Sequence, residues 1–176
     1  ILSTAVVSRG WSQESIIGAT VSLCEAGHVD QAILKSRTAT EKTPRDPSVW
    51  IAYGTALVAA GEFAKGSKAM FTAAEVMRTS NPTMGGMPVA GLDKAIEARG
   101  WLFEGMAEKI AKAPTPAIAD QVKKGCVYLE SCISDIKVAE RHFTEAVRLA
   151  EAGGFSDAAK LYKEMLRAVR ARPEYK

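Results

Sequence analysis

Few side chains in this sequence can do acid–base, nucleophilic or metal chemistry: His28 and His142, three cysteines, and scattered carboxylates. A histidine acts as a general base only with a reacting proton in hydrogen-bond reach. His28 falls in the turn phrase CEAGHVDQA and His142 near the start of a late helical stretch; both read as ordinary polar residues. Cys126 and Cys132 lie six residues apart on an expected helix, so they project about 120° from one another and form neither a CxxC redox pair nor a zinc site. Cys24 reads as a small packing residue on the inner face of the first helix. An odd cysteine count with no pair close in sequence argues against a disulfide framework and for free thiols in a reducing compartment.

Other chemical signals are equally bland. MGGMP, Met84 to Pro88, lacks the Lys-Ser/Thr and the preceding strand of a phosphate-binding loop, and reads as an inter-helix connection. Glu104 and Glu108 are one turn apart on an Ala- and Lys-rich helix and read as a solvated face. The basic runs at Lys123 and at Arg167 to Arg172 suit an acidic partner if they converge, although cations near a helix C-terminus also complement its dipole. No catalytic residue, metal site or cofactor is expected, and the chain reads as a protein that is not an enzyme.

The elements that would position such residues are helical. A length of 176 residues fits one domain, and 47% hydrophobic with 24% charged residues is the balance of a globular chain rich in helix formers. The net charge of +3 is far from the basic stripe of a dedicated nucleic-acid binder. The longest nearly apolar run, Trp50 to Ala60, is about half of the roughly 20 residues a transmembrane helix needs, so no span is expected. A start at Ile1 rather than Met leads to the expectation of an intracellular protein, in a chloroplast or mitochondrion after removal of a leader.

One phrase recurs. CEAGHVDQA at Cys24, AAGEFAKG at Ala59 and AGGFSDAA at Ala152 each carry a helix into Gly, a short polar step, and a small residue opening the next helix. Gly27 and Gly61 are 34 residues apart, and the same shift relates Ile16 to Trp50, Leu23 to Leu57, Ala32 to Gly66 and Ala39 to Ala73. A period of this size marks helical-pair repeats that stack to bury their apolar faces. The third copy, aligned on Gly153, lies 92 residues beyond Gly61 and puts His142 at the large first position. Expected helices run from Ser15 to Ala26, Val29 to Glu41, Pro47 to Ala60, Phe63 to Thr79, Leu92 to Lys112, Pro116 to Ser134, Ile136 to Ala152 and Phe155 to Ala171, with no strand. Repeats are placed at about 13–46, 47–80 and 139–172. Residues of about 81–138 form a central insertion or degenerate repeat, in which Trp101 and Gly105 echo the spacing of Trp50 and Gly54.

These positions resemble the tetratricopeptide repeat, TPR. The second copy carries the resemblance best, through Trp50, Tyr53, Gly54, Leu57, Gly61, Gly66, Met70 and Ala73. The resemblance implies an all-α, TPR-like α-solenoid of antiparallel helix-turn-helix repeats with an irregular central helical pair. It also implies a concave groove lined by the first helix of each repeat: Ile17, Val21 and Cys24, then Ser48, Ile51, Thr55 and Val58, then Phe143, Val147 and Glu151. A mostly apolar groove suits an amphipathic helix or extended peptide, from a partner subunit or from the chain itself. Chaperone-binding TPRs hold a carboxylate with Lys and Asn where Ile17 and Val21 stand, so that role is not implied. The implied function is a non-catalytic interaction module, an adaptor or accessory subunit of a larger, organellar complex. The alternative is a pentatricopeptide-like RNA binder, resembled by LCEAGHVDQA and AAKLYKEML. Against it, Ile16, Ile17 and Ile51 occupy places that would have to read bases.

Overall fold

The computed structural model describes residues 15–80, 83–84, 87–88 and 91–173. The chain is all-α in architecture, with helices α1 Ile16–Glu25, α2 Val29–Lys42, α3 Pro47–Ala59, α4 Phe63–Ser80, α5 Leu92–Ala111, α6 Pro116–Glu130, α7 Ile136–Ala152 and α8 Ser156–Arg170. Between α4 and α5, where no strand was expected, β1 Thr83–Met84 and β2 Met87–Pro88 pair antiparallel, Thr83 opposite Pro88 and Met84 opposite Met87. Gly85-Gly86 stands between them in sequence, the residue type that two-residue hairpins favour.

Local chemistry sets the helix starts. Ser15 Oγ accepts from the Gly18 amide at 3.0 Å, Asp46 from Ser48 at 2.8 Å, Thr115 from Ile118 at 3.2 Å, and Asp135 from Lys137 and Val138 at 3.0 and 3.1 Å. Each satisfies an amide that the first helical turn leaves without an intrahelical partner. Pro47 and Pro116 sit in the first turn, where no amide hydrogen is missed.

The recurring phrase closes a helix in the same way three times. Gly27, Gly61 and Gly154 are left-handed, with φ of 81°, 76° and 73°. Their amides donate to Cys24, Val58 and Glu151, and the amides that follow, of His28, Glu62 and Phe155, donate to Leu23, Leu57 and Ala150. That paired pattern is the Schellman closure, which needs a residue content at positive φ. In the third copy this residue is Gly154, not Gly153, so the register expected from sequence is off by one. The true offset from the second copy is 93 residues. Phe143 then corresponds to Trp50, and the histidine at the large first position disappears as a departure.

Helix α3 is the hub of the N-terminal half, packed by α1, α2 and α4. Its approach to α4 is close because Gly54 faces Gly66: a Cβ on Gly66 would stand 2.6 Å from Val58 Cγ2 and 3.2 Å from the Gly54 carbonyl oxygen. Helix α5 lies along α4, and α6 along α7, which also packs α8. The two central helices touch each other far less, so they are not the close pair expected. The cause lies in their apolar stripes: Gly100 and Phe103 of α5 face Phe71 and Phe63 of α4, while Gly125 of α6 faces Phe143 of α7. Trp101 does not repeat the role of Trp50. It is 62% exposed and edge-on to Phe71, whereas Trp50 is half-buried and donates from Nε1 to the Pro44 carbonyl at 2.8 Å.

One continuous core runs from Val58 on α3 to Val169 on α8. A smaller cluster joins Cys24, Ala32, Ala56 and Ala59, and onto it pack Cys132 and Ile133 from the α6–α7 turn. That turn also corrects the expected end of α6. The helix stops at Glu130, because Ser131 is extended and its Oγ takes the Ile133 amide at 3.2 Å, while Asp135 caps α7.

Candidate interaction cleft

The apolar face of α3 meets α5 and the end of α6 around a cavity of about 230 Å³. Ile51, Thr55 and Val58 of α3 and Met70 of α4 line one side, Ile96, Arg99 and Phe103 of α5 another, and Glu130, Ser131 and Cys132 a third. The cleft therefore lies where the chain's two halves meet.

Its polar groups are held in place by contacts reaching across the chain. The Arg99 guanidinium lies 5.4 Å from the Phe103 ring centroid and donates to the Glu130 carbonyl at 3.2 Å. Arg172, past the end of α8, pairs with the Glu130 carboxylate and donates to the Leu129 carbonyl at 3.3 Å. Two residues distant in sequence thus clamp the last turn of α6, which forms the cleft wall.

Of the groove positions expected from sequence, the structure brings Ile51, Thr55 and Val58 together here. Val58 is 1% exposed and belongs to the core, leaving Ile51 and Thr55 as the half-buried lining of α3. Cys24, also 1% exposed, packs into the smaller cluster. Phe143 and Val147 are corrected outright. They are buried in the main core against α6, and in the register of the left-handed glycines the places of Ile51 and Thr55 fall on Thr144 and Arg148, which are exposed and polar. Ile17 and Val21 are half-buried on α1 and do not line the cleft. The sequence reading missed Arg99, Glu130 and Cys132, for which no spacing signal exists because α3 and α6 are some 70 residues apart.

No family model matches the chain, and neither does any curated protein or solved structure. The site must be read from its own groups.

The titratable groups are placed as packing and pairing residues. His142 stacks on Tyr128 with ring centroids 5.8 Å apart, and its Nδ1 meets Gln121 Oε1 at 2.8 Å. Burial pulls its pKa down, Lys124 pulls it further, and Asp120 opposes them. His28 is exposed in the α1–α2 turn. Burial pushes the Cys126 thiol up to about 12. Among the described residues no three His, Cys, Asp or Glu side chains gather as a metal site, and no helix is long and apolar enough to cross a membrane.

Proposed function

We propose that this chain is a TPR-like interaction module that receives an apolar side chain from an amphipathic helix or extended peptide of a protein partner, as an adaptor or accessory subunit of a larger assembly. The observation that carries this reading is the cleft at Ile51 and Thr55. Its floor is apolar, its rim offers Arg99, and its volume of about 230 Å³ falls below the ~300–1,000 Å³ of ordinary small-molecule sites. A space of that size suits one anchoring side chain better than a metabolite. The repeated Schellman turns add support, since α1, α3 and α7 all end on the same pair of hydrogen bonds, as first helices of stacked pairs would.

The test is affinity purification of the chain with mass spectrometry, beside Thr55→Arg, a half-buried rim substitution that fills the cleft. A partner set that survives salt with the wild-type chain and is lost with Thr55→Arg, at unchanged helicity, is the expected result. RNA that leaves the eluate as salt is raised would favour the pentatricopeptide-like alternative. Turnover of a metabolite by the purified chain would defeat both.

A further inference from the structure

The three cysteines are distant in sequence, yet the fold brings two of them together. Cys24 on α1 and Cys132 in the α6–α7 turn pack into one apolar cluster with Ala32, Ala56 and Ala59, near enough that each thiol shifts the protonation of the other. Their surroundings differ. Cys24 is buried in a helix, whereas Cys132 is partly exposed on a turn that also lines the cleft. On that turn the Ile133 amide donates to Ser131 Oγ at 3.2 Å. Cys126 is 0% exposed and packs in the main core, so it forms no part of the pair.

We propose that Cys24 and Cys132 form an oxidant-responsive dithiol, which peroxide converts to an intramolecular disulfide tying α1 to the α6–α7 turn. Cys132 is the attacking residue, since it is the one of the two that solvent and peroxide can reach. Its thiolate attacks one peroxide oxygen and the O–O bond breaks, leaving Cys132 as a sulfenic acid and releasing water once the departing hydroxide takes a proton. The Cys24 sulfur then attacks the Cys132 sulfur. An S–S bond forms, the S–O bond breaks, and the hydroxyl leaves as water with the Cys24 proton. Two thiols together lose two electrons and two protons, and one peroxide becomes two waters. Bringing the two sulfurs of one cluster to the about 2.05 Å of a disulfide asks for movement, which the Cys132 turn can supply more readily than a helix.

The protonation of the pair fits this order. Burial, with Cys132 and Glu25 adding to it, pushes the Cys24 thiol up to about 12. Burial also raises Cys132, but Cys24 and the local backbone pull against it. A thiol with so high a pKa is a slow leaving group. A reductant that attacks the accessible Cys132 sulfur must expel it, so the oxidised form is expected to persist until a dithiol reductant is supplied. The inference holds whether or not the cleft takes a partner.

The test treats the folded full chain with a small excess of hydrogen peroxide, unfolds it in urea to block the remaining thiols with iodoacetamide, and maps the peptides by mass spectrometry. Expected are the loss of two of the three alkylatable thiols, a Cys24 peptide linked to a Cys132 peptide, and an upward shift in Tm that dithiothreitol reverses. Because Cys24 is a core residue, the decisive variant is Cys132→Ser, on the turn, which must lose both the linked peptide and the shift. Cys126→Ala must keep the linked peptide. A link through Cys126, a disulfide between two chains, Cys132 carried on to the sulfinic acid, or three thiols remaining in the folded chain would each overturn the proposal.

Discussion

Thr20 shows how much a single atom decides in this chain. Its Oγ1 is the one buried side-chain oxygen without a hydrogen-bond partner among the described residues, and the residue is 0% exposed on α1. The places that correspond to it in the other copies carry Gly54 and Val147, neither with a polar side chain to satisfy. A hydroxyl moved out of water with no new partner costs about 1–3 kcal/mol, and valine has nearly the same shape without that cost. Thr20→Val is therefore expected to raise the unfolding free energy by about 1 kcal/mol, read as a higher urea midpoint at unchanged slope. A lower midpoint would mean that the hydroxyl is satisfied in solution. Nothing in the sequence marks Thr20, because an unpaired hydroxyl looks like any other threonine until the packing around it is known.

At the scale of elements, most of the chain was legible, and the reasons are local. Serine, aspartate and proline at helix starts and glycine after helix ends act within one turn of the backbone, so they mark α1, α3 and α7 from sequence to within a residue or two. The errors fall where two local signals compete. Gly153-Gly154 offers two candidates for one left-handed position, and only the hydrogen bonds choose Gly154. Ser131 to Ser134 continues the helical pattern, yet a serine hydroxyl and the Asp135 cap end α6 early. Two glycines of the repeat phrase separate backbone from packing. Gly27 is left-handed with nothing within 4 Å of a Cβ, so Gly27→Ala bears the backbone term alone, about 1–2 kcal/mol. Gly66 is ordinary helix, but a Cβ there meets Val58 Cγ2 at 2.6 Å, so Gly66→Ala must spread α3 from α4, at about 1–3 kcal/mol of overpacking. Stability measurements should find both destabilising. Only Gly66→Ala should respond to trimming Val58 to Ala, the double variant losing less than the sum of the two singles. Strict additivity would show that α3 and α4 do not meet through these residues.

For the whole molecule, the question is what holds the C-terminal half against α3 to leave a cleft between them, and here the sequence was silent. A 34-residue period describes neighbours, whereas the cleft wall depends on Arg99, Glu130 and Arg172, which no repeat register relates. Glu130 carries the argument, since its side chain is 12% exposed and Arg172 is its carboxylate's partner, at 38% exposure. A nearly buried carboxylate left alone is costly, while a pair half open to water contributes only modestly beyond neutral groups. Arg172→Ala is accordingly expected to destabilise the chain by about 1–2 kcal/mol. Glu130→Gln, which keeps the shape and removes the charge, should cost less. The double variant should recover part of the loss from Arg172→Ala, with a coupling of about 1 kcal/mol. Raising the salt concentration should shrink that coupling only slightly, because the Glu130 end of the pair is shielded from solvent. A coupling near zero would make Arg172 a solvated cation at the end of α8, and the wall at Glu130 and Cys132 would then be held by the apolar contacts of Cys132 and Ile133 alone.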